Sequence, residues 1–170
     1  FGKTGRIVAG ELLEDSLFDL CWVVRRTSPL KIQYASRLLG YDFDSARIFG
    51  KNNLLKHFFK ENKVDIIIDF STSQGYTEYT LAVNEGIRII SAISKYTPKA
   101  IATLQEYAKT TAVLYSPNIT LGINFLMVAS QVLQKIAPHA DIEIVEEHFR
   151  DKKETSGTAL KIAKVLGLEK

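Results

Sequence analysis

A segment late in the chain carries side chains suited to acid–base chemistry. His148 and Lys152 are followed by a hydroxyl- and glycine-rich stretch that contains Ser156, Gly157 and Thr158. Imidazole and ammonium groups can move a proton near neutral pH when their pKa values are tuned. Backbone N–H groups at a helix start and a compact lysine charge can bind a carboxylate. The segment predicts a site for a small anionic substrate, although a surface loop of mixed charge before a capped helix would have the same composition.

The opening residues could bind a phosphate. The chain begins Phe1-Gly2-Lys3-Thr4-Gly5-Arg6, directly before a helical pattern. Glycines at a strand-to-helix turn let backbone N–H groups approach a phosphate, and the helix dipole favours the anion. Two interpretations are open at this point. The turn could end a P-loop, with Ile66–Asp69 as the Walker B strand, or it could be the glycine turn of a Rossmann dinucleotide site whose first strand lies upstream.

Two arginines bear on that choice. Arg25 and Arg26 end the next predicted strand, about 20 residues beyond the glycines, where Rossmann folds place the residue that meets the adenosine ribose. Arginine can pair with a 2′-phosphate and so favours NADP over NAD. A solvated pair of arginines at a strand end is the alternative.

The elements that must position these residues alternate between short apolar runs and amphipathic stretches. The predicted strands are Leu20–Val24, Val64–Phe70, Arg88–Ser91, Ala112–Ser116 and Asp141–Glu147. The predicted helices are Gly5–Glu14, Asn52–Asn62, Gln74–Glu85, Pro98–Thr110 and Ile123–Ile136, with another beginning at Ser156. This alternation predicts an α/β protein with a Rossmann-like, doubly wound parallel sheet. We expect residues 1–118 to form that domain, without its first strand, and residues 119–170 to begin a partial α+β substrate domain. Residues 27–50 have no clear period and are predicted to be mostly loop.

Bulk properties narrow the class of protein. The apolar fraction of 46% and the charged fraction of 24% are those of a globular protein. No apolar run reaches the roughly 20 residues that a membrane-spanning helix needs, and the net charge of +3 is spread without a basic run. We therefore expect neither membrane nor nucleic-acid binding, and no metal. The single cysteine, Cys21, is expected to be buried and favours a reducing, cytoplasmic setting.

Four motifs in the same order resemble the dihydrodipicolinate reductase family. The late segment is similar to the family's E-x-H-H-x-x-K-x-D-A-P-S-G-T-A, because it reads E-E-H-F-R-D-K-K-E-T-S-G-T-A. The opening Gly2–Ile7 resembles G-x-x-G-R-M, Asp69-Phe70-Ser71 resembles D-F-[ST], and residues 116–124 resemble [SA]-x-N-x-S-x-G-x-N. Together these matches favour the Rossmann interpretation over the P-loop.

The resemblance implies an activity and a set of roles. Hydride would pass from NADPH or NADH to a cyclic imine-type substrate derived from 4-hydroxy-tetrahydrodipicolinate, with loss of water, in lysine and diaminopimelate synthesis. His148 would be the general acid/base and Lys152 the catalytic cation, and a small dicarboxylate would meet Phe149, Ser156, Gly157 and Thr158. The implied assembly is a homotetramer. The implied cofactor contacts are Gly2, Lys3, Thr4, Gly5, Arg6, Ile7, Arg25, Arg26, Phe70, Ser71, Ala92, Ile93, Ser94, Ser116, Pro117, Asn118 and Ile119.

The chain also departs from the family pattern. Phe149 replaces the second histidine, the stretch between Lys152 and Ser156 is one residue shorter and lacks proline, and Val8 replaces the last glycine of the opening loop. Residues 92–95 read A-I-S-K where the family commonly has G-T-T-G. A diverged nucleotide-binding sensor or regulatory protein is therefore the alternative, followed by another Rossmann oxidoreductase acting on a different small acid. The retained His148 and Lys152 favour the reductase.

Overall fold

The structure is a computed structural model that describes residues 1–27, 31–147 and 156–168. The chain divides into two compact units, Phe1–Tyr115 and Ser116–Lys170. In the first unit the elements are α1 (Lys3–Glu14), β1 (Trp22–Arg25), α2 (Ala35–Leu39), β2 (Arg47–Gly50), α3 (Phe58–Glu61), β3 (Ile66–Asp69), α4 (Tyr79–Asn84), β4 (Arg88–Ser91), α5 (Pro98–Tyr107) and β5 (Val113–Tyr115). Short 3₁₀ turns cover Lys51–Asn53 and Gly75–Glu78. The second unit contains α6 (Leu121–Ile136) and α7 (Gly157–Leu166).

All strand pairs in the first unit are parallel. β1 pairs with β2, from Trp22 opposite Arg47 to Arg25 opposite Gly50. β3, β4 and β5 form a three-stranded sheet in that order, and Asp69 lies opposite Ser91. Within the described residues no pairing joins the two sheets. Parallel strands linked by helices confirm the predicted α/β class, because such pairs need a crossover connection.

Helices cover both faces of the β1–β2 sheet, which is the doubly wound arrangement. On one face Val23 and Ile48 pack with α1 and α2 in a small buried cluster. On the other face Trp22 and Phe49 pack against the larger core, which includes Phe58 of α3. Successive residues of a strand point to opposite faces, so these four-residue strands contribute to two cores at once.

The larger core continues under the three-stranded sheet. Ile67, Ile89 and Val113 contribute from the strands. The buried side chains from α3, α4 and α5 include Phe58, Phe59, Tyr79, Ala82, Val83 and Leu104. α5 begins as predicted: Thr97 caps it by accepting a hydrogen bond from the Ala100 N–H at 3.2 Å, with Pro98 in the first turn.

Part of the predicted loop over residues 27–50 is ordered secondary structure. It contains α2, whose C-cap residue Gly40 has the left-handed conformation, and the whole of β2. Ser36 fixes the connection because its hydroxyl donates to the Phe43 carbonyl oxygen at 2.7 Å and accepts the Ser45 N–H at 2.8 Å. β2 forms through pairing with β1, a contact between distant parts of the sequence, so a short local pattern does not predict it.

The strand predicted at Asp141–Glu147 is not formed. Those residues form neither helix nor strand, and the described part of the second unit has two helices and no strand. The alternating residues Ile142 and Ile144 do share one face, since both pack on Met127, Ile162 and Leu166. A strand also needs a hydrogen-bonded neighbour, and the described residues provide none for this segment.

The surface carries an exposed cysteine and an exposed apolar face on α6. Cys21 is exposed, which corrects the expectation of burial, because its side chain lies just before β1 rather than within the sheet. On α6, the apolar side chains of Leu121, Phe125 and Ile136 are largely exposed. None of the helices in the described part of the chain is both long and apolar enough to cross a membrane.

Candidate dinucleotide-binding site

The predicted cofactor residues of β3 and β4 meet at one edge of the three-stranded sheet. Phe70 and Ser71 follow β3, and Ala92, Ile93 and Ser94 follow β4, which runs beside it in parallel. The Ala92 N–H donates to the carbonyl oxygen of Asp69 at 2.9 Å. Phe70 is half-buried, Ser71 and Ser94 are exposed, and Ile93 is buried in the structure. This edge is formed by the carboxyl ends of the strands, where open α/β sheets bind ligands.

The opening turn lies beside the same strand ends. Gly2 is the N-cap of α1 and has no side chain with which to cap the helix, while Lys3, Thr4, Gly5, Arg6 and Ile7 form its first turns. The Phe1 nitrogen donates to the carbonyl oxygen of Val24, near the end of β1. The Phe1 nitrogen also lies close to the charged groups of Arg25, Asp69 and Arg6. The glycine turn therefore lies within electrostatic reach of the ends of both β1 and β3.

The two arginines differ in exposure. Arg25 is the last residue of β1 and is half-buried, whereas Arg26 follows the strand and is exposed. Arg6 stacks on the Phe1 ring, with its guanidinium carbon 5.7 Å from the ring centroid. Lys3 is exposed at the start of α1. Cationic side chains and the uncapped helix start together provide a region suited to an anionic dinucleotide.

A buried polar network supports the edge of the three-stranded sheet. The Asp69 carboxylate accepts hydrogen bonds from the Ser71 N–H, at 2.6 Å through Oδ1, and from the Tyr79 hydroxyl through Oδ2. The Ser91 and Tyr96 hydroxyls are 2.9 Å apart. Burial, the Asp69 charge and the hydrogen bond to it raise the pKa of Tyr79 far above its ordinary value, so the phenol stays protonated and donates. The sequence does not predict this network, and its one signal there is a charged residue, Asp69, at the end of a run of isoleucines.

Three tyrosine rings form a half-buried row beside this network. Tyr96 contacts Tyr76 edge-on, with ring centroids 5.8 Å apart, and Tyr115 at 5.2 Å. Burial is the main cause that raises the pKa of Tyr96 and of Tyr115. Edge-on and tilted aromatic pairs of this kind add to burial energy, so the row joins the loops that follow β3 and β4 through favourable contacts.

The Ser116–Ile119 segment follows β5 and belongs to the second unit. It forms a turn around Asn118, whose carbonyl oxygen accepts from the Ser116 hydroxyl at 2.9 Å and from Asn124 Nδ2 at 3.2 Å. Asn118 Oδ1 accepts the Thr120 N–H at 3.3 Å. Its Nδ2 is buried and has no hydrogen-bond partner among the described residues. A buried donor without a partner is costly, so this amide is a candidate to bind a polar ligand; Pro117 and Ile119 flank it.

At the predicted substrate end, Ser156 is the N-cap of α7. Its hydroxyl accepts the Thr158 N–H at 3.1 Å, and its own N–H donates to Glu146 Oε1 at 2.7 Å. Gly157 and Thr158 are the first residues of the helix. A carboxylate bound there would share the Thr158 N–H with the Ser156 hydroxyl. His148, Phe149 and Lys152 lie outside the described residues.

The first unit combines parallel strands and helices with a glycine-containing turn, a helix start without a side-chain cap, and loops at the carboxyl ends of its strands. These features define a Rossmann-like nucleotide-binding domain. A sequence family described as dihydrodipicolinate reductase, N-terminus, matches residues 1–119. That match covers most of the chain, and the chain belongs to this family.

Curated relatives agree with the family match. The chain is 36% identical over 131 residues to a 4-hydroxy-tetrahydrodipicolinate reductase of Rickettsia akari, covering 76% of this chain and 49% of that protein. The relative of the same name from Myxococcus xanthus is 32% identical over 107 residues, with coverages of 61% and 40%. That from Buchnera aphidicola is 29% identical over 170 residues, with coverages of 97% and 60%. The chain thus spans roughly half the length of these relatives.

Proposed function

We propose that this protein is an NAD(P)H-dependent 4-hydroxy-tetrahydrodipicolinate reductase, and that the described first unit binds its dinucleotide. The observation that carries the proposal is the position of the Gly2 turn, at the start of α1 and beside the ends of β1 and β3. The names of the curated relatives support the reaction. When bound, the reduced nicotinamide supplies the hydride.

The residues of the chain fit an anionic dinucleotide. The N–H groups in the first turn of α1 point out of the helix start, where a pyrophosphate gains from the helix dipole. In the second unit, considered by itself, Asn118 Nδ2 is a buried donor without a hydrogen-bond partner among the described residues. We infer that Arg25 and Arg26 pair with a 2′-phosphate, which would make NADPH the preferred cofactor.

The substrate is a small dicarboxylate in this proposal, and its recognition rests on residues late in the chain. The α7 start, with Gly157 and Thr158, supplies backbone and hydroxyl donors for a carboxylate. Lys152 would add positive charge and help protonate the product, and His148 would be the acid/base group. Phe149 offers no hydrogen bond where the family has its second histidine. These residue roles stay predictions, as do a cytoplasmic location and the implied homotetramer. The mass of the protein in solution tests the homotetramer.

Two measurements test the proposal. NADPH and NADH are titrated against the protein while nicotinamide fluorescence is followed, and cofactor oxidation is then recorded with freshly generated 4-hydroxy-tetrahydrodipicolinate. We expect saturable binding and turnover that depends on both substrates. Binding without turnover would indicate the diverged nucleotide-binding protein instead, and absence of binding would overturn the proposal.

A further inference from the structure

Asp69 is a buried charge that the predicted cofactor contacts do not include. The residue is 8% exposed, and it is the one buried charged residue in the described part of the chain. Burying a carboxylate is unfavourable unless hydrogen bonds compensate. The compensating donors are the Ser71 N–H and the Tyr79 hydroxyl, so the carboxylate is tied both to the turn after β3 and to α4.

The carboxylate shapes the turn that contains Phe70 and Ser71. The chain passes back over Asp69 so closely that a β-carbon on Gly75 would lie 2.3 Å from Asp69 Oδ2. The Gly75 N–H closes the turn by donating to the Thr72 carbonyl oxygen at 2.8 Å. The backbone of residues 70–75 is therefore folded around one carboxylate.

The same residue reaches the neighbouring loop. The Asp69 carbonyl oxygen accepts the Ala92 N–H at 2.9 Å, which fixes the first residue after β4. Tyr79 is 4% exposed and Ser91 is fully buried. The hydroxyls of Ser91 and Tyr96 interact with the Tyr79 phenol. One aspartate and its hydroxyl partners thus connect the ends of β3 and β4.

We propose that Asp69 is a positioning residue for the cofactor, which holds the Phe70–Ser71 turn in its binding geometry while the Tyr79 hydroxyl holds the carboxylate. This inference rests on the proposed function, because it assigns both loops to the dinucleotide. Asp69 itself is not placed in contact with the ligand.

The test compares Asp69→Ala, Asp69→Asn and Tyr79→Phe with wild type. We measure the KM for NAD(P)H and kcat, the dissociation constant of the cofactor, the thermal midpoint and hydrogen exchange at the Ser71 amide. Asp69→Ala should raise the cofactor dissociation constant and KM about 10-fold or more and speed Ser71 exchange, as expected for losing a charge-assisted hydrogen bond. Asparagine keeps an acceptor for the Ser71 N–H and should recover most of the affinity. Tyr79→Phe should weaken binding by about 3-fold.

Asp65→Ala is the matched control, because this aspartate is exposed and precedes the same strand at its other end; we expect no change in cofactor affinity. If Asp69→Ala lowers the thermal midpoint but its folded fraction binds NAD(P)H like wild type, the positioning role is wrong. Should Asp69→Ala not fold, Tyr79→Phe decides: unchanged affinity and unchanged Ser71 exchange would overturn the proposal. Absence of cofactor binding by wild type would overturn the proposed function and this inference together.

Discussion

Gly75 lies against the Asp69 carboxylate with no room for a side chain. A β-carbon at Gly75 would lie 2.3 Å from Asp69 Oδ2 and 2.6 Å from Ser71 Oγ, inside van der Waals contact. The carboxylate cannot turn away without losing the Ser71 N–H, 2.6 Å from its Oδ1, and the Tyr79 hydroxyl. The turn after β3 therefore depends on a residue without a side chain.

Gly75→Ala should destabilise the protein and weaken cofactor binding. Overpacking of a filled site costs about 1–3 kcal/mol, and here the clash falls on the carboxylate that holds Ser71. We expect a lower free energy of unfolding in urea and a higher dissociation constant for NAD(P)H.

Gly10→Ala is the control for that substitution. Gly10 lies inside α1, and a β-carbon there would meet Tyr41 Oη at 3.9 Å, an ordinary contact. Alanine in a helix interior is favoured over glycine by about 1 kcal/mol, so this variant should be more stable than wild type. Equal stability of wild type and Gly75→Ala would contradict the packing argument.

The sequence predicted those strands and helices that can be recognised from the pattern of their own residues. The apolar run at residues 64–70 became β3, and Arg88–Ser91 became β4 with the predicted bounds. β2 was missed because its four residues are held by pairing with β1. The segment at residues 141–147 was predicted as a strand, and Ile142 and Ile144 both pack on the second unit's core cluster, yet it has no strand partner among the described residues. Pairing between distant segments is what a local pattern cannot supply.

Some residues of the candidate site could likewise be predicted from the sequence, and others could not. Gly2 and Arg25 were singled out from types and spacing, and the structure brings both near the end of β1. Tyr79 was assigned only to a helix, since its partnership with Asp69 exists only after α4 packs under the sheet. A residue that acts through another residue is hard to recognise from the sequence alone.

Cys21 should react slowly with alkylating reagents although it is exposed. Burial of part of the thiol raises its pKa, and the charges of Asp19 and Asp65 raise it further. An unperturbed cysteine has a pKa of about 8.5, and the thiolate is the reactive form. We expect the rate of iodoacetamide modification to rise with pH later in folded protein than in urea. Asp19→Asn should shift the profile to lower pH, whereas Glu11→Gln on α1 should not; identical profiles for folded and denatured protein would contradict the prediction.

Lys152→Ala should slow turnover by at least about 100-fold, a typical contribution of a positioned acid–base group. The family resemblance assigns this lysine, so the neighbouring Lys153→Ala is the matched control and should retain activity. kcat is measured at saturating NAD(P)H, together with the dissociation constant of the cofactor, which should not change. Unchanged turnover in Lys152→Ala would remove this lysine from the mechanism.

Replacing both Arg25 and Arg26 by alanine should raise the dissociation constant of NADPH by at least about 10-fold, because charge-assisted hydrogen bonds to a 2′-phosphate are lost. NADH has no such phosphate, so its dissociation constant should change little. Arg88→Ala is the control: this arginine is exposed at the first residue of β4, at the amino ends of the strands. Both cofactors should bind that variant like wild type. If the double variant loses the same factor of affinity for NADPH and for NADH, the arginines contact a part of the molecule that both dinucleotides share. The inferred preference for NADPH is then wrong.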